Sequence, residues 1–233
     1  WHSQRMQDVL LERRQQVLYD KKWLKLLRRA RIFRYAPFIT VAFAAGSMAT
    51  GDVRPTSDFD LIVGTRSRRL FTARFFLILA FDLFGWRRKN LDHSEASADT
   101  VCLNHFVTEA RYALSPPHGP YWEHLYRSLV PVYGSEAEIG AFYRVNGAWM
   151  GAVRRYGDDL RHRYRQPAWI ARAIEQLLSG SIGDRIERAL RAPELRRIRA
   201  KLLPHAGYKP RLIISDDELE LHLDTKRIET FSP

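Results

Sequence analysis

Apolar residues fall near helical spacing through residues 4–30, at Met6, Val9, Leu10, Val17, Leu24 and Leu27, with no Gly or Pro between them. A helix, or two, is expected there. Pro37 ends the helical pattern, because its ring restricts the preceding residue and removes a backbone donor. Phe38 to Ala45 (FITVAFAA) is then a short continuous run of β-branched and aromatic residues, the pattern of a buried strand. Residues Gly46 to Ser57 (GSMATGDVRPTS) read as a turn or short helix plus loop. Asp58 to Gly64 (DFDLIVG) predicts a second strand, Leu70 to Phe84 an apolar helix stopped by Gly85, and Thr100 to Thr108 (TVCLNHFVT) a third strand.

From Pro120 onward the pattern turns helical: Tyr121 to Leu129, Glu136 to Gly147, and a longer region from about Ala168 to Leu203 broken near Gly180 and Gly183. Arg211 to Ser215 and Leu219 to Leu223 fit a small hairpin or an ordered tail. The expected fold is α/β (α+β), a small mixed sheet with flanking helices and a helical C-terminal extension. The segments are a helical N-terminus (1–36), a core (37–115), a helical extension (116–203) and a tail or hairpin (204–233).

Composition narrows this picture. With 233 residues, 45% of them hydrophobic, the chain can bury a sizeable core and does not have the composition of a disordered basic tail. The longest apolar run in the best membrane candidate, Phe75 to Phe81, lies between Arg74 and Asp82 and is far short of the roughly 18 residues of a membrane span. The single cysteine, Cys102, makes no internal disulfide, and Trp1-His2-Ser3-Gln4-Arg5 holds no apolar signal-peptide core. A reducing cytoplasm is the expected compartment.

The net charge of +12 is unevenly spread. Residues 1–36 carry ten basic and three acidic groups, residues 37–149 eleven of each, and residues 150–201 thirteen basic and six acidic. Two basic flanks therefore bracket a neutral middle. Such flanks attract phosphates, since Arg pairs with them bidentately. They are equally the solvated faces of amphipathic helices, as for Arg196, Arg197, Arg199 and Lys201.

The chemistry is concentrated in Gly46-Ser47, followed ten residues later by Asp58-Phe59-Asp60, between two apolar strands. Strand alternation sends Asp58 and Asp60 to one side and Phe59 and Leu61 to the other. Two carboxylates so placed repel unless a cation sits between them, and hard Mg²⁺ prefers carboxylate and phosphate oxygens. Glycine permits close approach of a phosphate, which Ser47 and nearby amides can then hold. Taken separately, Gly46-Ser47 is a turn and the aspartates are a capped strand start; together they point to metal and phosphate binding.

The run AAGSMATGDVRPTSDFDLIV resembles the signature of the DNA polymerase beta superfamily of nucleotidyltransferases, over about residues 35–110. Arg69 to Arg88, Val101-Cys102-Leu103-Asn104 and Ile214-Ser215-Asp216-Asp217 are also similar to prokaryotic nucleotidyltransferase-domain proteins. The resemblance implies Mg²⁺-dependent (or Mn²⁺-dependent) transfer of a nucleoside monophosphate from a nucleoside triphosphate, an NTP such as ATP, to an acceptor hydroxyl, with pyrophosphate leaving. It implies that Gly46, Ser47 and Ser57 hold the nucleotide and that Asp58 and Asp60 bind the metal. The acceptor, nucleic acid or protein among others, is left open.

Family members add a third carboxylate from a later strand, and Val101 to Val107 contains none. Asn104 is the expected positional counterpart, with Asp99 and Glu109 flanking the strand as substitutes. His105, expected to face away from Asn104, reads more readily as a core histidine than as a base. Cys102 reads as a small buried residue, and no Cys/His spacing suggests zinc. Arg87-Arg88-Lys89 is expected to complement the end of the preceding helix. A non-catalytic NTP-binding or nucleic-acid-binding module, left by loss of the third carboxylate, is the alternative reading.

Overall fold

The computed structural model describes residues 2–89, 98–116, 118–151, 160–202 and 211–222. Trp1, Leu203 and Leu223, named above, lie outside the described residues. The fold is mixed α/β, with an open six-stranded sheet in the order β4-β1-β2-β3-β6-β5. β1 (Ile39–Ala44) runs antiparallel to both β2 (Phe59–Thr65) and β4 (Val130–Gly134). β2 and β3 (Val101–Thr108) are parallel, joined through the apolar helix α3 (Leu70–Leu83). β5 (Arg211–Ile214) and β6 (Glu218–His222) form an antiparallel hairpin whose second strand pairs with β3. The C-terminal segment is thus a working part of the central sheet.

β4 corrects the expectation that residues 116–203 form a helical extension without a strand. Its sequence, Val-Pro-Val-Tyr-Gly, is short and holds Pro131, which cannot donate to a ladder. The strand takes the sheet edge, the position where a missing donor is tolerated. It follows α4 (Pro120–Arg127) and precedes α5 (Glu136–Met150), whose Ser135 hydroxyl accepts from the Glu138 N–H as an N-cap.

Helices cover both faces. On one face Phe59, Leu61, Val63, Val101 and Leu103 pack against α1 (His2–Arg29), α3 and α7 (Ser181–Leu202). On the other, Val41, Phe43, Ile62 and Val107 meet Trp122, Tyr126 and Phe142 of α4 and α5. Phe43 and Phe142 lie 4.6 Å apart. Burying each such side chain stabilises the fold by about 1.5–3 kcal/mol. α1 docks through its C-terminal half, where Trp23, Leu26 and Leu27 are buried; Val9, Leu10, Val17 and Leu24 of the expected apolar stripe are exposed. α6 (Trp169–Leu177) and α7 are separated at Leu178–Gly180. No helix among the described residues is long and apolar enough to cross a membrane.

Candidate functional site

β1 hands over to the site at Gly46, whose φ of +57° is a left-handed backbone that L side chains rarely adopt. The same residue is pressed against β2: a Cβ there would stand 2.3 Å from Oδ2 of Asp60. Glycine is required twice, by the backbone angle and by the space the carboxylate fills. The Ala45 N–H donates to the Asp60 carbonyl at 2.9 Å and fixes the end of β1 beside it. α2 (Gly46–Thr50) follows, with Ser47 half-buried, and closes at Gly51 (φ +89°), whose N–H donates to the Ser47 carbonyl.

The loop leading on to β2 is held by α1. Gln15 Nε2 donates to the Val53 carbonyl at 2.8 Å and the Tyr19 hydroxyl to the Met48 carbonyl at 3.4 Å. The buried Lys22 ammonium donates to the Ser57 carbonyl at 2.5 Å. The Ser57 hydroxyl itself accepts from the Arg54 N–H at 2.9 Å, so Ser57 closes the turn at the loop's end.

Asp58 and Asp60 stand together and partly exposed, while Phe59 and Leu61 are buried on the other face, as alternation predicts. In the parallel register Asp60 pairs with Cys102, and ligand atoms of Asp58, Asp60 and Cys102 all lie within 4.8 Å of one another. Among the described residues, no third carboxylate joins that group. The register shifts just beyond this pair: two steps along β2, from Asp60 to Ile62, match three along β3, from Cys102 to His105. Asn104, 8% exposed, falls within this one-residue shift, and Cys102 is the β3 residue grouped with the two carboxylates.

Burial pushes the Cys102 thiol well above its ordinary value, and Asp60 and Asp58 push it in the same direction. The charges of Arg88 and Arg74 oppose this shift. Arg88 Nη1 donates to Asp58 Oδ2 at 2.7 Å, both side chains being largely buried. Backbone pairing puts it there: the Arg88 N–H donates to the Val101 carbonyl and the Val101 N–H to that of Trp86. Arg87, by contrast, pairs with Asp82 in the last turn of α3 at 2.8 Å. Burial lowers the Arg88 value, but Cys102, Asp58 and Asp60 outweigh it and raise the guanidinium's affinity for its proton.

The two flanking acids serve elsewhere. Asp99 pairs with Lys22 at 3.0 Å and with Lys25, and Glu109 pairs with Arg66 at 2.7 Å. His105, 1% exposed, lies beyond the register shift and faces β6. Arg88 and Cys102 entered the site without a sequence signal of their own: one is set by a bridge outside the named strands, the other by register. A cavity of about 600 Å³ lies at the far end of β2, lined by Arg66, Arg68, Arg69, Glu109 and Glu175 among others, away from the carboxylates.

Comparisons with protein-family models, with curated proteins and with solved structures return no match to this chain.

Proposed function

We propose that this protein is a Mg²⁺- or Mn²⁺-dependent nucleotidyltransferase that transfers a nucleoside monophosphate from a nucleoside triphosphate to an acceptor hydroxyl, releasing pyrophosphate. The observation that carries this reading is the contact of Gly46 with Asp60, in which the backbone turn after β1 and the Asp58/Asp60 pair are fitted to each other. The two carboxylates form a hard oxygen pair suited to Mg²⁺, and Asp58 and Asp60 would hold it. When bound, the ion neutralises triphosphate charge and aligns attacking and leaving oxygens. Gly46 and Ser47 would receive phosphate oxygens through backbone N–H groups and the Ser47 hydroxyl. Arg88 neutralises Asp58 here, and a guanidinium freed from that carboxylate is suited to a phosphate. Among the described residues no third carboxylate stands with the pair, so the chain contributes positioning and charge.

Pyrophosphate release from each NTP with Mg²⁺, across a panel of acceptor hydroxyls, tests the reading. Asp58→Ala and Asp60→Ala should each lower release by at least about 100-fold, the scale of losing one electrostatic anchor of the transition state. Undiminished release in both variants would overturn it.

The pairing of Asp58 with Arg88, and a thiol at the third position, favour a second reading: a binding module for NTP or nucleic acid with a degenerate active site. NTP binding without transfer to any acceptor would select it.

A further inference from the structure

A second cluster of metal-binding side chains lies further along the same face of the sheet, across the β3–β6 seam. His105 of β3 is the register partner of Glu220 of β6, and His222 follows Glu220 by two residues on the same face. Ligand atoms of the three lie within 4.8 Å of one another. Glu220 is 0% exposed and His105 1%, whereas the His222 side chain is 25% exposed at the end of the strand.

The polar atoms in this cluster are in an unusual state. Nε2 of His105, Oε1 of Glu220 and Nε2 of His222 are all buried and make no hydrogen bond. They have close neighbours, His222 Nε2 standing 3.2 Å from Glu220 Oε1 and His105 Nε2 3.4 Å from Glu218 Oε1, but off the hydrogen-bond direction. A buried polar atom without a hydrogen bond costs about 1–3 kcal/mol, and three such atoms fall on these three neighbouring side chains. Two ligands about 2.0–2.1 Å from a tetrahedral ion stand about 3.3 Å apart, close to the spacing found between His222 and Glu220.

The surroundings have the form of an outer shell. Arg211 Nε donates to Oε2 of Glu220 at 2.8 Å, leaving Oε1 for the cluster. The Tyr126 hydroxyl lies 3.4 Å from Nδ1 of His105, so Nε2 is the nitrogen left without a hydrogen bond. Such contacts orient metal-binding imidazoles and carboxylates. Glu218 and Glu220 are two buried carboxylates on one strand face, and Arg211 supplies one compensating charge. A divalent cation would neutralise the remainder.

We propose that His105, Glu220 and His222 form a divalent transition-metal site, with Zn²⁺ the ion its donors suit best. Two imidazoles and one carboxylate make a borderline-soft set that favours Zn²⁺ over Mg²⁺, and three protein donors leave one tetrahedral position for water. The ion enters from the exposed side of His222. Its effect is to cross-link β6 to β3, tying the C-terminal hairpin to the strand that also carries Cys102. The proposal does not depend on the nucleotidyltransferase reading.

The test is Zn²⁺ titration of the chelator-stripped full chain against a competing chromophoric chelator, with metal content measured after dialysis. One equivalent should bind to the wild type and equally to an Asp58→Ala/Asp60→Ala variant. His222→Ala and Glu220→Gln should bind at least about 100-fold more weakly, beyond the 10–100-fold that outer-shell changes cost. His222 is the most exposed of the three, so His222→Ala is the variant that keeps its fold; circular dichroism checks this. Co²⁺ in the wild type should give the strong visible bands of a tetrahedral site. Absence of micromolar Zn²⁺ binding, unchanged binding in His222→Ala, or loss confined to the Asp58/Asp60 variant would each overturn the proposal.

Discussion

Gly46 answers to two constraints that can be separated by experiment. Its left-handed backbone disfavours a side chain by about 1–2 kcal/mol, and so does that of Gly51 five residues on. At Gly51 nothing lies within 4 Å of an added Cβ, whereas at Gly46 the Asp60 carboxylate is in the way. Gly46→Ala and Gly51→Ala should therefore lose similar stability in chemical denaturation. Gly46→Ala alone should also lose pyrophosphate release, by at least about 10-fold, because Asp60 must move. Equal activity losses in the two variants would remove the contact from the account. At this scale the sequence was a good guide where alternation held, as at Asp58, Phe59, Asp60 and Leu61. The sequence does not announce the extra residue in β3 that reverses the alternation, so that Cys102 and His105, an odd number of residues apart, share a face.

Among the elements, α3 begins without a cap of its own. Arg69 at its N-cap makes no capping hydrogen bond, and the first-turn N–H groups of the buried Phe71 and Thr72 are instead met by Glu187 of α7, at 2.8 Å each. The Thr72 hydroxyl donates to the same carboxylate at 2.5 Å. The seam continues through Arg69 with Asp184 at 2.7 Å and the buried Arg74 with Glu194 at 2.9 Å. Glu187→Ala leaves helix-end donors unpaired and should cost about 1–3 kcal/mol in urea unfolding, with Glu187→Gln recovering part of it. No loss in Glu187→Ala would mean that water caps α3 equally well. This cap comes from a residue far along the chain, so no local pattern around Leu70 announces it. The first three strands were legible to within a residue or so because their apolar runs are continuous, whereas β4 was hidden by Pro131 and its five-residue length.

Across the whole molecule, α1 and α7, which carry much of the two basic flanks, both pack through their apolar residues on the face of the sheet that bears Phe59 and Leu61. One ionic link does join the flank to the site's frame: Lys22 and Lys25 of α1 hold Asp99, at the approach to β3. Burial raises the Asp99 value, but hydrogen bonds and charge from Lys25 and Lys22 outweigh it and hold it below the ordinary one. A depressed carboxyl stabilises the fold above its unfolded value, about 3.9, and this contribution disappears as pH falls through the lower folded value. The stability gap between wild type and Asp99→Asn, measured from pH 7 to pH 3, should be constant down to about pH 4.5 and shrink below it. Asn also tolerates the left-handed backbone at this position. A gap that closes already near pH 6, or persists undiminished at pH 3, would refute the assignment.

The hairpin that closes the sheet carries a consequence for how the chain is made. β3 pairs on one side with β2, but its other edge is satisfied only by β6, more than a hundred residues downstream. During synthesis that edge, with its row of open N–H and C=O groups, has to wait while helices α4 to α7 emerge. Pairings so distant in sequence form slowly, and an unpaired edge is the surface on which nascent chains join one another. Chains released before residue 222 should accumulate as aggregates, while the full chain clears that stage on completing β6.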